Sequence, residues 1–459
     1  MSETRIERDS MGEVQLPREA LYGPQTQRAV QNFAGLGGPM PERFIRALLL
    51  QKCAAAQANV ELKLLDAEIG TAIVGSTTQL LTDPGLMAHF PVDVYQTGSG
   101  TSSNMNANEV LATLASRALG RPVSANDHVN AGQSSNDSIP AALHIAASLS
   151  VARELLPALD GLAGAIRAKS AEVGHHVKTG RTHLMDAMPV TLAQVLGGWA
   201  AQVEAQRDQL RSLQPRIQGL AQGGTAVGTG INAHPQFAQA FCRQLSGLTG
   251  LTFTPAPDFF AAMSSQDAAV ALSGALRGLA VSLMKIANDL RWMNSGPLAG
   301  LAEIELQALQ PGSSIMPGKV NPVIPEAVAM AAAQVMGHDA AIAIAGQSGN
   351  FELNVMLPLV AHDVLDSLQL MAGASRELGE RAIASFRVNE SGLKQALARN
   401  PILVTALNPR VGYLKAAEIA KRAYREGRPI IDVAEEDSGI PRAELEQLLD
   451  PARLTEGGL

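Results

Sequence analysis

Residues 264–293, SSQDAAVALSGALRGLAVSLMKIANDLRWM, carry the strongest structural signal in the chain. Their large apolar side chains alternate spacings of four and three, at Leu272, Leu276, Leu279, Leu283, Ile286, Leu290 and Met293. This heptad predicts one long helix with a continuous apolar seam that packs against other helices. Ser264 and Asp267 resemble a capping box that begins the helix, and Gly296 with Pro297 is predicted to end it.

Other stretches are predicted to form long helices of the same kind. A helix at 138–166 has Ser138 as its cap, and further helices are predicted at 191–214 and 325–346. The low aromatic content of 3%, against 46% hydrophobic residues, also suits helices better than sheets. The expected fold is mainly α, a bundle whose long seams need helices from other subunits to cover them.

The length of 459 residues exceeds what one hydrophobic core supports, so several regions are expected. We predict a mixed, mostly helical N-terminal domain at 1–137, in which a helix spans 41–69. A central long-helix domain follows at 138–359, and a small helical C-terminal domain at 360–459 contains a helix from Tyr413 to Glu426.

Charge and cysteine content exclude several classes of function. The net charge of −7 gives no basic surface for nucleic acid, and Cys53 and Cys242 are too few for a disulfide framework. Residues 1–14 lack the apolar core of a secretory signal, and no uninterrupted apolar run approaches the ~20 residues that span a membrane. We expect a cytoplasmic protein without nucleic-acid or membrane partners.

Four polar segments carry the candidate chemistry, because their small side chains and backbone N–H groups donate hydrogen bonds to carboxylates. They are TGSGTSSNMN at 97–106, NDHVNAGQSSND at 126–137, GRTH at 180–183 and PGSSIMPGKVNP at 311–322. The same residue types also build ordinary turns, so each segment alone has a structural interpretation.

The fourth segment predicts a mobile loop, since glycine and proline bracket Ser313, Ser314 and Lys319. His183 is either a structural hydrogen-bonding residue or a proton-transfer group. Glu326 stands in the first turn of a predicted helix, where the helix dipole favours its charge and where it could orient a histidine.

Metal and nucleotide sites have little support in the sequence. It contains no His-Glu-x-x-His, no paired-cysteine motif and no P-loop, so no metal or cofactor is predicted. Residues 228–233, GTGINA, match a dinucleotide pattern but lack a preceding strand, and a tight Gly-rich connection is predicted there.

Together the four segments resemble the fumarase/aspartase superfamily, whose signature Gly-Ser-Ser-x-Met-Pro-x-Lys-x-Asn-Pro stands at 312–322. The resemblance extends from 9–12 to 403–408, nearly the whole chain.

Within the superfamily, the class II fumarase family is the most similar, through QTGSGT at 96–101, SGNFELNV at 348–355 and GYLKAAE at 412–418. Aspartate ammonia-lyases are the near alternative, through NPVIPE at 321–326.

The resemblance implies a three-domain helical subunit whose central helices complete one bundle in a homotetramer, with each active site built from three subunits. It implies reversible hydration of fumarate to L-malate in the tricarboxylic acid cycle, without metal or organic cofactor. The partners would be these dicarboxylates and copies of the chain. A second hypothesis is an aspartate ammonia-lyase, and a third is a non-catalytic helical scaffold such as the related lens crystallins.

The resemblance also implies individual roles. Ser313 would remove the C3 proton of malate, and His183, paired with Glu326, would handle the proton of the departing hydroxyl. Lys319 and Asn321 would stabilise the charge that develops on the carboxylate. The implied substrate-binding residues are Ser99, Gly100, Thr101, Ser134, Ser135, Asn136, Thr182, Ser314, Lys319, Val320 and Asn321.

Three departures from the family pattern stand out. A secondary carboxylate site, usually His-Pro-Asn-Asp, would here consist of Ser124, Ala125, Asn126 and Asp127. Leu298 replaces a common arginine, and Met185 replaces a common glutamine just after the histidine.

Overall fold

Long helices make up most of the computed structural model, which describes residues 4–457. In chain order these are α1 (Pro24–Asn32), α2 (Glu42–Glu61), α3 (Ala67–Thr82), α4 (Thr101–Leu119), α5 (Ser135–Ser150), α6 (Leu156–Val173), α7 (Leu192–Ile217), α8 (Phe237–Thr249), α9 (Phe259–Ser264), α10 (Asp267–Met293), α11 (Val323–Gln347), α12 (Leu357–Glu377), α13 (Glu390–Arg399), α14 (Asn408–Val411), α15 (Tyr413–Glu426), α16 (Ile430–Ser438) and α17 (Arg442–Leu448). The predicted mainly α fold is confirmed.

The strands are short and form two-stranded sheets. They are β1 (Thr4–Asp9), β2 (Gly12–Pro17), β3 (Val177–Thr182), β4 (Met185–Thr191), β5 (Gly219–Leu220), β6 (Thr254–Pro255), β7 (Ile304–Glu305) and β8 (Arg387–Val388). The pairs β1–β2, β3–β4 and β7–β8 are antiparallel, whereas β5–β6 is parallel. Among the strands of residues 4–457, only those of the β3–β4 hairpin contain predicted site residues.

The heptad prediction is confirmed, because all seven seam residues of α10 are at most 6% exposed. The predicted start at Ser264 is wrong. Ser264 is the last residue of the short helix α9, where its hydroxyl donates to the Phe260 carbonyl, and α10 begins at Asp267 beside Ser265. A serine-rich junction between two helices offered more than one local cap, and tertiary packing selected among them.

Two other helix boundaries also differ from the sequence prediction. The helix predicted at 41–69 is two helices, because the chain turns at Lys63 (φ 62°) and Asp66 caps α3. The helix predicted to begin at Ser138 begins at Ser135, and a π-helical turn at Val151–Leu155 joins α5 to α6 without a break. By contrast, α15 spans Tyr413–Glu426 as predicted.

By internal packing the described chain divides into two compact units. The first comprises the chain up to Pro157, Asp208–Ala280 and Ala333–Ala372; the second comprises Ala158–Arg207, Val281–Ala332 and the chain from Gly373. The predicted boundaries at 137/138 and 359/360 stay predictions, and the predicted ends at residues 1 and 459 lie outside the described residues.

The first unit is organised around α2, which packs against α3, α5 and α8. Its interior contains unusual polar residues beside the apolar ones. Gln51, Lys52 and Asn59 on α2, with Asn104 and Asn108 on α4, are almost completely buried. Their side-chain nitrogens all donate hydrogen bonds, whereas the side-chain oxygens of the four amides are buried without a partner within residues 4–457. A polar interior of this kind is costly to bury, so it points to a specific role.

The second unit contains the β3–β4 hairpin and the C-terminal helices. The last helices, α15 to α17, pack around a small apolar core that includes Leu407, Ile419, Val433 and Leu445. Side-chain contacts tie the hairpin to its own unit, since Asn400 Nδ2 donates to the Ala187 carbonyl at 2.8 Å.

Within residues 4–457, three helical stretches are long and apolar enough to cross a membrane by length and composition, contrary to the sequence expectation. They are Ser135–Val173, α10 and α11, with mean hydropathy of 1.3, 1.5 and 1.4. These helices contain no long uninterrupted apolar run, because charged residues such as Lys285 and Asp289 interrupt α10. Their many alanines nevertheless keep the mean hydropathy high. In the fold, 72%, 56% and 33% of these windows is buried within the chain itself. The absence of a membrane partner stays a prediction.

We predict that neither cysteine reacts in the native protein. Cys53 on α2 and Cys242 on α8 are buried, and burial raises the pKa of Cys53 to about 11 and that of Cys242 to about 12. Because the thiolate is the reactive form, a disulfide reagent such as DTNB at pH 8 should titrate no thiol in buffer and both in guanidinium chloride. Rapid reaction of either thiol in the native protein would contradict this burial.

Candidate active site

The predicted site residues of the first candidate segment, Ser99 to Thr101, lie at the start of α4. Gly100 has φ 72°, and a Cβ at this position would lie 2.8 Å from the Ile139 side chain, so the turn requires glycine. The hydroxyls of Ser99 and Thr101 are 2.8 Å apart and partly exposed. Hydroxyl groups at a helix N-terminus are suited to an anionic ligand.

The second segment, Ser134 to Asn136, forms the start of α5. Ser134 caps this helix, and the Asn136 amide donates to the Ala226 carbonyl at 2.8 Å. The Ser135 hydroxyl oxygen accepts a hydrogen bond from Asn104 Nδ2 at 3.2 Å. Because Asn104 belongs to α4, the structure brings the first two predicted segments together within the first unit.

Asp137 is a site-forming residue to which the sequence analysis gave no role. Its buried carboxylate accepts hydrogen bonds from the backbone N–H groups of Ser134, Gly223 and Thr225 at 2.9, 3.0 and 2.9 Å. Burial raises the pKa of Asp137, and these backbone hydrogen bonds oppose the rise. The capping-box spacing from Ser134 to Asp137 is the sequence signal that identifies it.

This carboxylate fixes the Gly-rich loop that follows β5. Thr225 adopts a left-handed conformation (φ 54°), and a Cβ at Gly223 would lie 2.7 Å from the Ala238 side chain. Residues 228–233 form turns within the same connection. The dinucleotide match at 228–233 is therefore a Gly-rich connection, as predicted.

In the second unit, the β3–β4 hairpin presents Thr182 and His183. Thr182 pairs with Met185, which leaves a two-residue turn in which His183 and Leu184 have φ of 57° and 62°. Positive φ at both central residues is the type I′ geometry, and such conformations cost non-glycine residues on the order of 1–3 kcal/mol each. The hairpin thus holds an exposed histidine at its tip in a defined orientation.

A buried ion cluster supports this hairpin. Glu303, which is 4% exposed, accepts from Arg181 Nη1 at 2.5 Å and lies 3.2 Å from Lys178 Nζ. Burial lowers the pKa of Lys178, and Glu303 opposes the shift. No local pattern in the sequence signals this cluster, since Glu303 is 122 residues from Arg181.

The signature loop closes on itself at its base. The Gly312 N–H donates to the Lys319 carbonyl at 2.8 Å, and Asn321 Nδ2 donates to the Gly312 carbonyl at 2.7 Å. A Cβ at Gly312 would lie 2.5 Å from the Lys319 carbonyl oxygen, so this close approach requires glycine.

Within the loop, Ser313 Oγ accepts hydrogen bonds from the backbone N–H groups of Ile315 and Met316 at 3.2 and 3.0 Å. Donors to a hydroxyl oxygen favour its deprotonated form, because they stabilise negative charge there. The backbone therefore supplies part of the environment that a serine base requires.

A pocket of about 380 Å³ joins the end of this loop to the end of α10. Its lining residues are Asn288, Arg291, Trp292, Asn294, Ser295, Gly296, Lys319, Val320, Asn321, Pro322 and Glu326. The structure thus brings Lys319, Val320, Asn321 and Glu326 together, whereas Ser313 and the exposed Ser314 lie outside the lining. Within residues 4–457 no hydrogen bond or ion pair joins His183 to Glu326, and that pairing stays a prediction.

The predicted secondary carboxylate site is a short turn whose residues hydrogen-bond to one another. Ser124 Oγ donates to Asp127 Oδ2 at 2.8 Å and accepts from the Asp127 N–H at 3.0 Å, at the start of a π-helical turn, Ala125–Val129. Asn126 and Asp127 are exposed. Carboxylate binding at this turn stays a prediction.

The two other departures from the family pattern lie at the surface of the chain. Leu298 is 97% exposed and Met185 is 69% exposed. Both apolar side chains are therefore mostly uncovered within their own unit.

Comparison with known proteins shows which family the chain belongs to. A family model described as lyase matches residues 12–337, and a model described as fumarase C C-terminus matches residues 403–456. The chain is 68% identical over 459 residues to fumarate hydratase class II 2 of Pseudomonas aeruginosa, covering 100% of each chain. The chain belongs to the class II fumarate hydratase family.

Other members of the class II fumarate hydratase family agree over the whole length. Fumarate hydratase class II of Xylella fastidiosa is 55% identical over 455 residues, 99% of this chain and 96% of that one. The crystal structure of class II fumarase from Schistosoma mansoni matches with a TM-score of 0.95 and 34% identity, covering 99% of each chain. The resemblance drawn from the signature loop is confirmed, and the aspartate ammonia-lyase alternative is not favoured.

We predict that Glu303→Gln loosens the histidine hairpin. Removing the carboxylate deprives the buried Lys178 and the partly buried Arg181 of the counter-charge that they share, a loss of about 3 kcal/mol. Hydrogen exchange of amides 177–191 should accelerate at least tenfold, while the exposed neighbour Glu305→Gln should leave it unchanged. Equal exchange in both variants would show that the cluster does not hold the hairpin.

Proposed function

We propose that this chain catalyses the reversible hydration of fumarate to L-malate. The observation that carries the proposal is the signature loop, in which two backbone N–H groups donate to Ser313 Oγ. The 68% identity over the full length to a fumarate hydratase class II supports it. The non-catalytic scaffold hypothesis would leave this hydroxyl environment without a purpose.

In the malate-to-fumarate direction, deprotonated Ser313 removes the C3 proton, and the C3 electron pair moves into the adjacent carboxylate. That group becomes a doubly charged aci-carboxylate, which Lys319 and Asn321 stabilise with donated hydrogen bonds. The C2–O bond then breaks, and the departing hydroxide receives a proton through His183 to leave as water. The base and acid lie on opposite faces, which gives anti elimination.

The two substrate carboxylates are held by the hydroxyl and amide donors at the helix starts. Ser99 and Thr101 lie just before and at the start of α4, and Ser134 to Asn136 lie at the start of α5, where the helix dipole favours anions. Thr182 and Ser314 supply further hydroxyls. Holding both carboxylates fixes which hydrogen and which face react.

The active assembly in this proposal is a homotetramer in which different copies supply the segments of each site. Exposed apolar side chains on the long helices support it, among them Val281 and Trp292 on α10 and Met330 and Ile344 on α11. A helix such as α11, whose apolar window is 33% buried in the chain, leaves an apolar face for other copies.

We further propose that the protein is cytoplasmic, acts in the tricarboxylic acid cycle and uses no metal or organic cofactor. The reaction sequence above moves protons through Ser313 and His183 and stabilises charge through Lys319 and Asn321. No step in it calls for a group from outside the chain.

The reaction is tested by the absorbance of fumarate in the ultraviolet. The purified protein should form fumarate from L-malate at the same rate with and without prior dialysis against EDTA. L-Aspartate under the same conditions should give no fumarate and no ammonia. Fumarate from aspartate alone would establish the ammonia-lyase, and loss of malate turnover after dialysis would contradict the cofactor-free mechanism.

Two adjacent serines separate the roles of base and binder. Ser313→Ala should lower kcat about 10³-fold with little change in KM, because proton transfer by a positioned group contributes roughly 10²–10⁴-fold. Ser314→Ala should mainly raise KM. Light scattering should give four times the chain mass of 48.0 kDa for both variants and the parent. Near-normal kcat in Ser313→Ala would remove Ser313 from the mechanism.

A further inference from the structure

A lysine lies buried beside residues 130–135, a segment that leads into α5 and is called the substrate-binding turn below. Lys52 on α2 is 0% exposed, and its ammonium donates to Asn130 Oδ1 at 3.0 Å and Gln133 Oε1 at 2.9 Å. Burial lowers the pKa of Lys52 to about 7, and the carboxylate of Asp137 opposes the shift. A buried cation is costly to maintain, and such groups are retained where they specify an arrangement or a function.

The ammonium fixes the orientation of Asn130. Because a protonated lysine has donors only, the amide must turn its oxygen towards it. The Asn130 oxygen then also accepts from Asn104 Nδ2 at 3.2 Å and Asn108 Nδ2 at 3.1 Å, while Asn130 Nδ2 donates to the Gln133 carbonyl at 3.1 Å. Three donors converge on one oxygen, which leaves Asn130 a single orientation.

Asn104 connects Asn130 to Ser135 at the end of the substrate-binding turn. Its Nδ2 donates both to Asn130 Oδ1 and to Ser135 Oγ, each at 3.2 Å. Within residues 4–457 its Oδ1 is buried without a hydrogen-bond partner, so the amide keeps this orientation at the expense of an unpaired acceptor. Ser135 therefore accepts from Asn104, and its own O–H is free to donate elsewhere.

A second arm connects the lysine to the other side of the same turn. Gln133 Oε1 also accepts from Gln51 Nε2 at 3.0 Å, and Gln51 Nε2 donates to Gln222 Oε1 at 2.5 Å. Gln222 Nε2 donates in turn to Asp137 Oδ2 at 3.1 Å. The turn is thus held between a buried cation and a buried carboxylate through amide groups.

We propose that Lys52 is a positioning residue that acts through Asn130 and Asn104 to hold Ser135 as a hydrogen-bond donor to a substrate carboxylate. The inference rests on the proposed function and deepens it, because it names groups that set how the carboxylate is recognised. The positive charge of Lys52, which is buried beside the substrate-binding turn, also favours a negative ligand there.

The polarity of one amide tests the proposal. Asn104→Asp has the same shape but offers acceptors in place of donors, so the Ser135 hydroxyl must donate to the introduced carboxylate instead of to the substrate. Asn106→Asp introduces the same charge at another buried position of α4. It is the matched control because Asn106 Nδ2 donates to the His89 carbonyl at 2.9 Å and has no hydrogen bond to Asn130 or Ser135 within residues 4–457. Lys52→Met removes the cation while keeping a similar volume.

Steady-state kinetics with L-malate are measured for the full-length parent and the three variants, with thermal unfolding and light scattering to follow folding and assembly. Asn104→Asp and Lys52→Met should raise KM at least about tenfold and lower kcat less than threefold, since a hydrogen bond to a charged group is lost. Asn106→Asp should change KM less than threefold.

The outcomes separate the two proposals. A parent without malate turnover overturns the proposed function and this inference with it. An active parent whose Asn104→Asp variant keeps its KM, or whose Asn104→Asp and Asn106→Asp variants raise KM equally, overturns the positioning role while the proposed function stands. If Lys52→Met does not assemble, the pair of asparagine variants decides the question.

Discussion

Burial of the apolar seam of α10 is the constraint on which the other features depend. Each of its seven large side chains contributes roughly 1.5–3 kcal/mol when removed from water, and that gain requires neighbouring helices of matching length. Long, straight helices follow from this requirement, and their ends fall at defined places. The candidate chemistry lies at those ends: before α4, before α5 and in the loop before α11.

Helix ends also resolve an electrostatic difficulty. The chain has a net charge of −7, yet the proposed substrates are dianions, so attraction must come from local groups. The helix dipoles and the side-chain hydroxyls at the starts of α4 and α5 supply it without adding charge, and Lys52 and Lys319 add cations at two points. The buried Asp137 carboxylate accepts hydrogen bonds from Ser134, Gly223, Thr225 and Gln222, which disperse part of its negative charge.

The sequence predicted what depends on local pattern. The α10 seam follows from a repeat that is visible in a single stretch, and the signature loop is specific enough to identify the family. Interactions between distant residues left no such pattern: Glu303 meets Arg181 across 122 positions, and Lys52 meets Asn130 across 78. The cap of α5 is Ser134 and not Ser138 as predicted. Residues 134–136 read as ligand contacts in the sequence, but they also form the first turn of the helix.

Assembly and catalysis are coupled in the proposed mechanism through desolvation. His183 is exposed at the tip of its hairpin, and Lys319 is exposed beside the α10 end, so in a single chain both are surrounded by water. Charge stabilisation by such groups is weak at high dielectric and strengthens several-fold when water is excluded. The backbone strain at His183 and Leu184 fixes the histidine in place before it has a partner. In the proposed tetramer, other copies would cover these residues and supply a low-dielectric environment, so the proposed chemistry and the exposed apolar faces favour the same assembly.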